Sequence, residues 1–115
     1  MNKKQEKYIQ KFNTILLNCL EHIEKYHNYN ILPIDIPTPK QIKMTIAQDN
    51  KKLITYFIHN IYIDDEYRKS CLDMNDDIYI KNYSNWNNLS IHLKIFIKKS
   101  VYGLCILCEK YILLL

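Results

Sequence analysis

Residues 100–115 read SVYGLCILCEKYILLL, and the reading of this stretch decides the fold. Cys105 and Cys108 sit three apart in a run that is otherwise almost wholly apolar. Four readings compete: a redox pair, half of a metal site, a membrane anchor, or one buried helix. A redox CxxC works from a helix N-terminus, where the dipole lowers the thiol pKa. Here the pair lies well inside a helical pattern, with bulky Ile106 and Leu107 between the thiols and no cation before Lys110. A membrane span needs about 20 apolar residues, and this run is shorter and carries Glu109 and Lys110. A buried helix with small core cysteines explains the stretch most simply.

Upstream the same pattern continues. Trp86, Leu89, Leu93, Phe96, Ile97, Val101, Leu104, Cys105, Cys108 and Ile112 recur at helical spacing. This predicts one long helix from near Ser84 or Asn85 to the end, with Gly103 opening a close approach for a neighbour. Residues 3 to about 27 predict a second long helix. Its apolar face carries Tyr8, Ile9, Phe12, Ile15, Leu16, Cys19, Leu20 and Ile23.

Between them, Pro33, Pro37 and Pro39 predict an extended connector over 31–39. Thr38, Pro39 and Gln41 form a helix start with a capping box. The following pattern spans 39–62 and is interrupted by AQDN, where Asp49 offers a cap, so it reads as one helix or two. Over 64–84, Asp64 offers a cap to a short helix carrying Tyr67, Cys71, Leu72 and Met74. The DIYIKNY segment alternates but has no strand partner, and a loop is the preferred reading there.

The bulk numbers agree. At 115 residues the chain is expected to be a single helical domain, 1–115. One glycine and three prolines are too few for the turns of a sandwich or barrel. The fold class is therefore all-α, a small bundle of three to five helices, with the first and last as antiparallel neighbours. The excess of Ile, Lys, Asn and Tyr suits an AT-rich genome, viral or cellular. Four cysteines without an apolar leader behind MNKKQEKYIQ predict reduced thiols and an intracellular protein that is not secreted.

Chemistry-bearing patterns are sparse. Cys19 and His22, together with Cys105 and Cys108, would supply four zinc ligands if the terminal helices packed together, yet their spacing matches no familiar finger or ribbon. Asp73-x-Asn75-x-Asp77 opens like a calcium loop, but Ile78 and Ser84 stand where glycine and glutamate are needed. A single glycine excludes a phosphate-binding loop, and no hydrolase or kinase motif occurs. A non-catalytic role follows, with thiol–disulfide chemistry at Cys105 and Cys108 as the exception. No cofactor is implied.

One likeness is carried by IPTPKQIKMTIAQDNKKLI and LKIFIKKSVYGLCILCEKY, in that order. Together these resemble the MRG domain, a helical chromatin adaptor, over residues 36–111. Cys108 stands where that family usually has tyrosine. The resemblance implies a nuclear scaffold without catalysis, which holds acetyltransferase or deacetylase partners.

The function expected is protein–protein interaction, as a small structural or adaptor subunit. Its contact surface is expected at Tyr26, Tyr29, Ile31, Tyr79, Ile80 and Tyr83. Homo-oligomers through the C-terminal helix are a further expectation, because that helix is apolar on more than one side. The alternative is a weakly basic nucleic-acid binder, since the net charge is +4 and Lys51-Lys52 and Lys98-Lys99 lie beside aromatic residues.

Overall fold

The computed structural model describes residues 3–26, 37–73 and 90–115. Among these residues the chain is all-α, with five α-helices and no strand. They are α1 (Lys3–Tyr26), α2 (Pro39–Gln48), α3 (Lys52–Phe57), α4 (Asp65–Leu72) and α5 (Ile91–Ile112). A π-helical turn, Ile58–Tyr62, extends α3.

α1 and α5 are the spine, and they run antiparallel. Three contacts descend in step along them. Gln5 donates to the Leu114 carbonyl at 2.9 Å. Ile15 lies over Gly103. His22 stacks on Phe96 with ring centroids 4.2 Å apart. A Cβ placed on Gly103 would meet Ile15 Cδ1 at 3.5 Å, an ordinary contact. The close approach expected at this glycine therefore does not require it.

α2 begins as its sequence dictates. The Thr38 hydroxyl accepts from the Gln41 amide at 3.2 Å, and the Thr38 amide donates to Gln41 Oε1 at 2.9 Å. Two orphan amides are thereby satisfied at once. Buried Pro39 occupies the first turn, where no amide proton is needed. The interruption at AQDN is a true break. Asp49 turns extended and takes the Lys51 amide on Oδ1 at 3.0 Å, so α2 and α3 are separate helices.

The π-turn carries an i to i+5 bond, from the Ile63 amide to the Ile58 carbonyl at 3.0 Å. It inserts an extra residue into the helical register. Ile54 and Phe57 stay buried before it, and Ile58, Ile61 and Tyr62 follow as half-buried neighbours of the same core. Asp64 then caps α4 by accepting from the Glu66 and Tyr67 amides at 3.0 and 3.2 Å. The short helix offered by Asp64 is formed over 65–72.

α5 starts later than its apolar pattern suggests. Ser90 has an extended backbone and accepts from the Leu93 amide at 3.2 Å, so it is the N-cap. A helix running unbroken from Ser84 or Asn85 is ruled out by that cap. Trp86 and Leu89 lie outside the described residues, as do Met74, the DIYIKNY segment and the connector over 31–36.

The main core joins Ile9 and Phe12 of α1, Ile54 and Phe57 of α3, Cys71 of α4, and Leu104, Cys105, Leu107, Cys108 and Tyr111 of α5. Phe12 and Phe57 meet edge to face, with centroids 5.4 Å apart, which adds to their area burial. Among the described residues two polar side chains are buried, Asn13 and Ser70. Asn13 is buried and donates to the Asn50 carbonyl at 2.9 Å, tying α1 to the corner between α2 and α3.

Candidate functional site

Two places are candidates for a functional site: the buried thiols and the outer face of α5.

Cys105 and Cys108 lie about four turns into α5, on its buried side, and both are fully enclosed. α4 brings Cys71 against them. All four cysteines, Cys19 included, are free thiols. Burial pushes Cys71 and Cys108 up to about 12, with Cys105 nearby adding to each. Cys105 rises to about 11, from burial first and then from the Glu109 carboxylate; Arg68 pulls it down by less. A thiolate nucleophile needs the opposite environment: exposure, a cation and a helix start. The cluster stays protonated at neutral pH and behaves as apolar packing.

The four ligands considered for zinc do not converge. Cys19 lies beside Ser100, whose hydroxyl partly offsets the rise that burial causes in its pKa. His22 is stacked on Phe96, while Cys105 and Cys108 face Cys71 at the other end of α5. Among the described residues, no three His, Cys, Asp or Glu side chains are placed to hold a metal ion. No helix among them is long and apolar enough to cross a membrane.

The surface expected from the sequence falls where nothing can be said of it. Tyr29, Ile31, Tyr79, Ile80 and Tyr83 lie outside the described residues, and Tyr26 is placed only as the last residue of α1.

A different surface is present on α5. Ile91, Ile95, Tyr102 and Leu113 are exposed, Ile91 at 68% and Leu113 at 78%. Ile106 is half-buried beside them. Ile91, Tyr102 and Leu113 follow one another at eleven-residue steps, as do Ile95 and Ile106. Eleven residues make about three full turns, so the stripe holds one face of the helix from end to end. The buried residues Leu104, Cys105, Cys108 and Tyr111 occupy the other side.

Beside the stripe, α1 and α5 leave an open groove of about 560 Å³. Ile15, Tyr102, Gly103, Ile106 and Leu107 give its apolar part, and Lys7, Gln10, Lys11 and Thr14 of α1 its polar edge. The groove and stripe share Tyr102 and Ile106, so they form one continuous surface. The sequence shows α5 apolar on more than one side without singling out these residues, and the eleven-residue spacing is the signal that marks them. Such a surface offers apolar contact beside positive charge. No family model, curated protein or solved structure matches this chain.

Proposed function

We propose that this protein is a non-catalytic interaction subunit, a structural or adaptor component that binds another protein through the outer face of α5. The observation that carries this reading is the aligned exposure of Ile91, Ile95, Tyr102 and Leu113 on one helix face. Single exposed apolar residues are ordinary, whereas several aligned on one helix face beside a groove mark a contact surface. The high-pKa, enclosed thiols support the same reading, because the one catalytic motif in the sequence is packed away from solvent.

A photo-cross-linking residue at position 95, in the full chain expressed in its native host, tests the reading. The expected result is a discrete protein adduct, absent when the cross-linker is moved to exposed Glu66 on α4. Equal labelling from both positions, or none from position 95, removes it.

A second reading has one observation in its favour. Lys7 and Lys11 edge the groove next to Tyr102, an arrangement suited to phosphate contact with base stacking. Steeply salt-dependent binding to single-stranded DNA or RNA would support that reading over the first.

A further inference from the structure

The groove lining is positively charged, while exposed Glu109 shares the Tyr102–Ile106 side of α5, three residues after Ile106 and four before Leu113. Lys7 and Lys11 line it, and no acidic residue does. Lys99 precedes Tyr102 and Gly103 by three and four residues, and Lys110 follows Leu107 and Ile106 by three and four. Both therefore fall on the groove side of α5. All four lysines are exposed. Among the described residues none of their ammonium groups has a carboxylate or hydrogen-bond partner, whereas Lys43 pairs with Glu21 and Arg68 with Asp65.

Resting on the interaction reading above, we propose that the groove and its stripe receive an amphipathic helix of a partner protein, with acidic residues flanking the apolar edge of that helix. Length selects a helix. From Ile91 to Leu113 the stripe covers roughly 33 Å at 1.5 Å per residue. A small amphiphile could fill the groove but would leave Ile91, Ile95 and Leu113 in water. Charge selects acidic flanks. A second copy of this chain would meet these four lysines with four of its own and Glu109, a net like charge that opposes docking. A nucleic acid would answer the lysines but would leave the isoleucines and Leu113 uncovered.

The test uses the full chain and two labelled synthetic peptides of 22 residues, followed by fluorescence anisotropy. Both carry the same leucine and isoleucine edge; one has glutamate flanks and the other lysine flanks. The glutamate peptide is expected to bind about tenfold tighter or more at low ionic strength, with the gap narrowing as salt rises. The double variant Lys7→Glu/Lys11→Glu should close or invert the gap while keeping its helical circular dichroism. The comparison of peptides on the unaltered chain stands even if that variant misfolds.

Equal binding of the two peptides overturns the acidic occupant and leaves the broader interaction reading in place. Failure of both peptides also overturns it, and the cross-linking result at position 95 then decides the broader reading separately. Two further results overturn it: self-association at the same concentration that the glutamate peptide does not dissolve, and tighter binding of a 22-nucleotide single-stranded DNA than of the glutamate peptide.

Discussion

α1 and α5 are near equals in length, 24 and 22 residues, and they pack against each other, yet they use their apolar residues differently. α1 buries Ile9, Phe12, Cys19, Leu20 and Ile23, and none of its large apolar side chains is exposed among the described residues. α5 buries Leu93, Leu104, Cys105, Leu107, Cys108 and Tyr111 and still exposes Ile91, Ile95, Tyr102 and Leu113. One helix has the apolar residues its fold requires, while the other has a surplus. Among the described residues, α1, α4 and the π-turn pack against the side of α5 that carries Leu104, Cys105 and Cys108. The surplus lies where a partner can reach it.

That contrast can be broken most forcefully from the inside. Phe12 is fully buried and packs edge-on against Phe57. Phe12→Ala is expected to cost about 3–5 kcal/mol of unfolding free energy, through lost transfer energy and the cavity left behind. Urea denaturation measures it. A loss below about 1 kcal/mol would mean that the α1–α3–α5 centre is not the core described.

A second test uses the thiols of the inner face. Their pKa values are raised in the folded state, so the folded protein holds these protons longer than the unfolded chain does. Above about pH 8.5, where an ordinary thiol ionises, the unfolded state binds fewer protons, and stability falls as pH rises. The contribution is complete below that pH and is lost progressively toward pH 11–12, through the raised values of Cys105, Cys71 and Cys108. Urea midpoints measured from pH 7.5 to 10.5 should therefore decline. A Cys71→Ala/Cys105→Ala/Cys108→Ala variant should decline less steeply, whatever its absolute stability. An unchanged slope would show that the thiols are hydrated.

The smallest effect is expected on the outer face, and it sharpens the contrast most. Ile91→Ser and Ile95→Ser should each shift stability by no more than about 0.5 kcal/mol, as exposed substitutions do. The same variants should reduce cross-linking from a probe at Tyr102. A stability cost like that of Phe12→Ala would make the outer stripe part of the core and end the argument for a surplus.

Much of the architecture was legible in the residues themselves. Thr38, Pro39 and Gln41 announced the start of α2, and Asp64 that of α4, because capping is local chemistry between a side chain and amides two or three residues away. The amphipathic repeat of α1 announced its buried face for the same reason. The π-turn left no comparable mark, since one extra residue in a turn depends on what that turn packs against. Ser90 does not stand out as a helix start in the sequence, because apolar residues continue upstream of it. Asn13 reads as a surface residue until the Asn50 carbonyl is found beside it.

The candidate site divides along the same line. Composition, periodicity and caps determined that this chain is helical, that α1 and α5 are its long members, and that Cys105 and Cys108 share the buried face. These follow from interactions within a few residues of chain. Only the tertiary structure decided that Cys71 joins those thiols while Cys19 and His22 do not, that Lys7 and Lys11 of α1 edge one groove with Tyr102 and Ile106 of α5, and that Ile91, Ile95 and Leu113 are exposed. A helical pattern says which residues share a face, but which faces meet depends on packing between segments far apart in sequence.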